Sequence, residues 1–116
     1  MMDCPKQGEI WWTSFYEGWE RPSIVVSRNE LNRGRLILVV PCTSSRVRER
    51  VTYPNHVLIP ASTGELSKDT IAQTHLIQPI EVSYLERRMG NLDIEQLAEI
   101  LLAIAWSIDL FDTARQ

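Results

Sequence analysis

Arg21-Pro22-Ser23-Ile24-Val25-Val26-Ser27 and Leu36-Ile37-Leu38-Val39-Val40-Pro41-Cys42-Thr43-Ser44 are two short segments with uninterrupted apolar centres, separated by the turn signal Asn32-Arg33-Gly34-Arg35. Neither centre alternates apolar with polar side chains, and β-branched residues dominate both. Strands at Ile24 to Ser27 and Leu36 to Val40, buried on both faces, follow from that pattern. Working outward, GEIWWTSF at positions 8 to 15 starts on a turn residue and continues in β-favouring side chains, which predicts a first strand. Tyr16 to Glu20 reads as a loop, and Thr43 to Asn55 as the longest loop of the chain. His56 to Ile59 and Thr70 to Ile80 supply two more strands around a turn region at 60 to 69, and a helical turn is expected at Ser83 to Arg88.

The C-terminal segment reads as a helix. Asp93 followed three residues later by Gln96 is a capping-box start, and Leu97, Leu101, Ile104, Ile108 and Phe111 recur at helical spacing to form the expected core stripe. Ile94, Ala98, Leu102, Ala105 and Trp106 widen the apolar surface, as a dimer contact or a fully buried helix would. Five to seven short strands without βαβ alternation, closed by this helix, predict an α+β fold built on a small β-barrel.

At 116 residues the chain is read as one domain, 1–116, large enough to bury a core without staples. No apolar run reaches the length of a membrane span, and the first residues lead into a polar segment, so a cytoplasmic location is expected. Cys4 and Cys42 have no metal-ligand spacing and are read as reduced thiols. The net charge of −3 is unevenly spread. Positions 21 to 50 carry seven arginines against two acids, whereas positions 81 to 116 carry seven acids against three arginines. Such polarity can steer an anion to one face, although the arginines could equally solvate turns.

Arg21 brings a permanent planar cation, and Thr43 and Ser44 bring hydroxyls to the point where a strand gives way to a loop. Together they suit a phosphodiester. Each also has a plain structural use, Arg21 as a surface charge and the hydroxyls as a turn pair. Trp11 and Trp12 adjoin on one strand and face opposite sides, so at most one is expected in the core. Trp19 and Tyr53 fall in loops, where they could stack on unpaired bases or anchor the loop. His56 is read as structural.

GEIWW at 8 to 12, RPSIVVS at 21 to 27, Asn32, VVPCTSS at 39 to 45, YPNHVLI at 53 to 59 and the final helix, in this order, resemble the MazF/PemK family of toxin endoribonucleases over nearly the whole chain. The resemblance implies an SH3-like barrel that forms a homodimer and cuts single-stranded RNA at short sequences without metal or other cofactor. It also implies 2′,3′-cyclic phosphate and 5′-hydroxyl ends, and silencing by a cognate antitoxin protein. Arg21 and Thr43 match the family's catalytic pair. Ser44, Ser45, Trp19, Glu20, Arg46, Arg48, Tyr53, His75 and Gln78 are the expected substrate-binding residues. Where many members carry a DQxR-like stretch, this chain reads His75-Leu76-Ile77-Gln78. Either His75 supplies acid/base capacity there, or it lies on an ordinary strand and Arg21 and Thr43 act without it. The reading from another class is a non-catalytic protein on the same barrel, similar to CcdB-like gyrase poisons or to a toxin that only binds its antitoxin.

Overall fold

A computed structural model describes residues 4–109. Seven strands precede the C-terminal helix: β1 (Glu9–Tyr16), β2 (Trp19–Val25), β3 (Leu36–Thr43), β4 (His56–Ile59), β5 (Thr70–Gln73), β6 (Gln78–Glu81) and β7 (Leu85–Asn91). A short helix, α1 (Val47–Arg50), sits between β3 and β4, and α2 (Ile94–Ser107) ends the described chain. The strands run β4-β5-β3-β2-β1-β7, with β6 attached to β3, and every pairing is antiparallel. The path ends at β4 and β7, giving a partly open barrel of the expected α+β class.

β3 is shared by two ladders. Its first half pairs with β6, from Leu36↔Glu81 to Val39↔Gln78, and its end pairs with β5 at Cys42↔Ala72 and Thr43↔Ile71. The single strand expected over 70 to 80 is therefore broken. The chain leaves β5, steps through a 3-10 turn at Thr74–Leu76 and rejoins β3 as β6. His75 lies on that turn and not on a strand. The helical turn expected at 83 to 88 is likewise a 3-10 turn at Val82–Tyr84 followed by β7, because β1 offers an otherwise unpaired edge.

β1 and β2 form a hairpin over the two-residue turn Glu17-Gly18, with Tyr16 opposite Trp19 and Gly18 at φ 80. The turn is tighter than expected, so Trp19 and Glu20 belong to β2 and Arg21 lies inside a strand. β3 runs on to Thr43, and Leu36 and Leu38 are exposed in place of the two-faced burial expected there. The stretch expected as one long loop after Thr43 contains α1.

Two apolar clusters lie on opposite faces of the curved sheet. One gathers Ile10, Ile24, Val40, Cys42, Ile59, Ala72 and Ile100, and Trp12 packs against it. The other gathers Val25, Ile37, Val39 and Ile80, and Trp11 packs against that. The adjoining tryptophans thus each cover a core, where at most one was expected to. α2 starts with the capping box: Gln96 N–H donates to Asp93 Oδ1 at 2.8 Å, and Asp93 N–H donates to Gln96 Oε1 at 2.9 Å. Its buried stripe is rotated from the expected one. Ile100 and Ala103 are buried with Leu97 and Ile104 beside them, while Leu101 and Ile108 are exposed. Small Ala103 allows close approach, and the Thr74 and Ser107 hydroxyls, 3.0 Å apart, pin the rotation. Phe111 lies outside the described residues.

Across the barrel, Gly64 (φ 53) and Gly90 (φ 141) touch through backbone, and a Cβ on Gly64 would stand 2.4 Å from the Met89 carbonyl oxygen. Among the described residues no helix is long and apolar enough to cross a membrane. Cys4 is exposed, Cys42 is buried, and both are free thiols.

Candidate functional site

Opposed residues in an antiparallel ladder share a face, so register alone places much of the site. Ser23 and Pro41 are the last pair of the β2–β3 ladder, so Arg21 and Thr43 each lie two residues beyond it, on the same face of the sheet. Burial of alternating β2 positions in one core sends Arg21 to the other side, with Trp19. Trp19 is wedged against Phe15 (ring centroids 4.6 Å apart) and Tyr16 (5.1 Å), and it carries the Arg21 guanidinium 4.3 Å above its ring. Arg21 is half-buried, and its Nε has no hydrogen-bond partner. A half-buried cation held over an indole, on the same face as a hydroxyl, has the chemistry that suits an anion.

Thr43 ends β3, and its Oγ1 accepts a hydrogen bond from the Ser45 N–H at 3.2 Å. Ser44 and Ser45 are both exposed in the turn that follows. Ser44 faces a cavity of about 250 Å³ together with Trp12, Pro22 and Lys68, while Arg21 lies on the other face of its strand from Pro22. On the inner side, Cys42 is fully buried. Its thiol is pushed up to about 12 by that burial, with the Arg21 charge pulling the other way, so it stays a neutral core residue.

A second group of side chains surrounds Arg50. The Arg50 Nε–H donates to the Ser45 carbonyl oxygen at 3.0 Å, and the Arg50 carbonyl accepts from His56 Nδ1 at 2.7 Å. His56 Nε2 is buried without a partner. The His56 ring lies between Tyr53 and His75, at 5.9 Å and 5.5 Å respectively, edge-on to Tyr53. The Asn55 side-chain N–H donates to His75 Nδ1 at 2.7 Å. Partial burial, then the neighbouring His56, then the Arg50 charge, all lower the His75 pKa below the usual histidine range. His75 is therefore neutral at ordinary pH.

Arg21 and Trp19 are thus in contact, Thr43 lies on the same face of the sheet, and Ser45 links Thr43 to the cluster holding Tyr53 and His75. Other expected residues stand apart. Gln78 shares the Arg21 face but pairs with Val39, four residues back from Thr43, roughly 13 Å away at the usual strand rise. Glu20 points to the opposite face and lies beside Glu86, whose pKa is raised by partial desolvation and by the Glu20 charge and hydrogen bond. Arg46 pairs with Glu49 at 3.4 Å, and Arg48 is exposed on α1. Arg50 was expected only as part of the basic loop with Arg46 and Arg48, His56 was read as structural, and Asn55 was not identified from sequence. The available signal was the hairpin of β4 and β5, whose His56↔Gln73 register brings the chain's two histidines together.

A family model described as "PemK-like, MazF-like toxin of type II toxin-antitoxin system" matches residues 6–108. The chain belongs to this toxin family. A Mycobacterium tuberculosis relative named Endoribonuclease MazF9 is 34% identical, over 91% of this chain and 98% of that protein. A second from the same organism, named Probable endoribonuclease MazF5, is 26% identical over 94% of this chain and 97% of its own length. Among solved structures, a mycobacterial endoribonuclease described in complex with its cognate antitoxin shares the fold at TM-score 0.78 and 20% identity, over 91% of this chain and 96% of that one. MazF from a MazE-MazF structure of Deinococcus radiodurans shares it at TM-score 0.76 and 21% identity, over 93% of this chain and 98% of that one. The chain thus shares its fold with these solved structures.

Proposed function

We propose that the chain is the RNA-cleaving toxin of a toxin–antitoxin pair and that Arg21 and Thr43 carry the chemistry. The observation behind this reading is the half-buried Arg21 guanidinium, held over Trp19 on the same face as Thr43, in a chain of the PemK-like, MazF-like family. The substrate is single-stranded RNA. The ribose 2′-hydroxyl attacks the adjacent phosphorus and gives up its proton to a base as the 2′-O–P bond forms. The P–O5′ bond then breaks and the 5′-oxygen takes up a proton, leaving 2′,3′-cyclic phosphate and 5′-hydroxyl ends. Negative charge grows on the phosphorane oxygens, and a preorganised guanidinium in a half-dry site stabilises it more than water does. A guanidinium with a pKa above about 12 is a poor base, so Arg21 serves charge stabilisation and Thr43 orients a phosphate oxygen or the 2′-hydroxyl.

In this scheme water takes the 2′-hydroxyl proton and returns one to the 5′-oxygen, the chain supplies orientation and charge stabilisation, and no step asks for a metal. A cognate antitoxin is the protein partner, by analogy with the relatives solved with theirs. A homodimer is supported by the apolar side chains that α2 leaves exposed, among them Ile94 at 83%, Leu102 at 58% and Trp106 at 47%. The proposed place of action is the cytoplasm. The test is incubation with a long defined RNA in EDTA, followed by mapping of cut positions and end chemistry. Discrete cuts with 5′-hydroxyl and cyclic phosphate ends are expected. Intact RNA, or 5′-phosphate ends, would refute the mechanism.

A further inference from the structure

The ring cluster at the β4–β5 end has features that phosphate binding does not need. Tyr53 is 59% exposed, yet it stands on the edge of His56, which in turn stands against the exposed His75. Because the Asn55 amide N–H points at His75 Nδ1, the neutral imidazole carries its proton on Nε2. His56, with Nδ1–H committed to the Arg50 carbonyl, is held in one orientation. The cluster is also tied to the candidate scissile position. Arg50 grips the Ser45 carbonyl, and the Ser45 N–H grips Thr43. The result is a fixed array of aromatic faces with a neutral hydrogen-bond donor at its edge, attached to the anion site but chemically unlike it.

A neutral ring is a weak partner for a phosphate and a good one for a nucleobase, which offers a flat π-face and acceptor atoms along its edge. We infer that Tyr53 and His75 form a nucleobase subsite next to the Arg21–Thr43 anion site, Tyr53 supplying a stacking face and His75 an Nε2–H donor to the base edge. This rests on the RNA-cleaving reading above. The two sites then divide the work. Arg21 and Thr43 handle a backbone that is the same at every nucleotide, while Tyr53 and His75 respond to the base beside it. Asn55, Arg50 and His56 are positioning residues for the pair.

The test is cleavage of a randomised RNA pool by the full chain and by Tyr53→Ala, His75→Ala and His75→Gln, sequencing the cut ends to read base preference at each position. Losing one stacked base changes binding by about 5- to 150-fold. Preference at one position near the cut should therefore flatten by a factor in that range in both alanine variants. His75→Gln, which keeps a side-chain N–H donor, should retain more of it. Urea midpoints matching wild type would show that the fold is intact. Equal slowing at every sequence with preference unchanged would overturn the subsite, and so would preference unaltered in both alanine variants. Wild-type protein that cuts no RNA in the pool would overturn the underlying cleavage reading, and the subsite with it.

Discussion

Replacing Arg21 with alanine should separate activity from stability, because the two effects on stability oppose each other while the effect on rate does not. The guanidinium lies 4.3 Å from the Trp19 centroid, and losing such a cation–π contact costs about 0.5–2 kcal/mol. The same substitution removes a buried Nε–H that has no partner, relieving a penalty of about 1–3 kcal/mol. The net change in folding free energy should lie between about 1 kcal/mol of destabilisation and about 2.5 kcal/mol of stabilisation. Cleavage loses a preorganised donor aimed at the growing phosphorane charge, an effect of about 10²–10³ in rate. The assay is single-turnover cleavage of a long defined RNA with enzyme in excess, in EDTA, alongside urea unfolding of the same preparations. Arg21→Lys keeps the charge but not the planar fork over Trp19, and should fall between wild type and alanine. A loss of less than about threefold in Arg21→Ala would remove Arg21 from the chemistry. Destabilisation beyond about 3 kcal/mol would make it a structural residue instead.

Four further outcomes are expected. RNA affinity should weaken as salt rises, and Arg46→Ala and Arg48→Ala should each reduce the logarithmic slope by roughly 0.7 if each residue neutralises one phosphate; a flat salt response excludes α1 as an RNA contact. Because the His75 pKa is lowered in the fold, the unfolded chain takes up that proton more readily, so stability present above about pH 6.5 is lost as pH falls toward the folded value. Urea midpoints measured across that range should fall less steeply in His75→Gln than in wild type, and identical slopes would contradict the assignment. With Cys42 buried and its thiol near 12, a chromogenic disulfide reagent at about pH 8 should titrate Cys4 alone in the native protein and both cysteines in urea. Asp93→Ala should cost about 1 kcal/mol through loss of the α2 cap, a melting shift of about 3–6 °C by calorimetry.

What the sequence carried plainly was what depends on neighbours along the chain. GEIWWTSF became β1 because its side chains favour extended backbone, and Asp93 with Gln96 became a cap because both hydrogen bonds span three residues. Arg21 and Thr43 stood out as candidates for the same reason, as chemical types at the edges of apolar runs. What stayed hidden was decided by partners distant in sequence. The break at Thr74–Leu76 exists because β3 pairs with two different strands, which no local pattern in 70 to 80 announces. The rotation of α2 depends on Ala103 and on a hydroxyl contact to Thr74, thirty-three residues before Ser107. Arg50 and Asn55 join the site through a backbone carbonyl and a side-chain amide placed by α1 and the turn after it, and His56 through the β4–β5 register. Trp19 looked like a loop aromatic that could stack on RNA, but wedged between Phe15 and Tyr16 it serves as the platform for Arg21.

β3 belongs to both ladders, and along it a core thiol and the hydroxyl proposed for the reactive site are consecutive residues. A slip of one position would turn Thr43 inward and present Cys42 to the substrate, exchanging an alcohol for a thiol without any mutation. Inheritance of the chemistry is thereby tied to inheritance of the packing. A lineage drifting at Val39, Val40 or Cys42 tests its catalytic register with every substitution, and mutations far from RNA become visible to selection through cleavage.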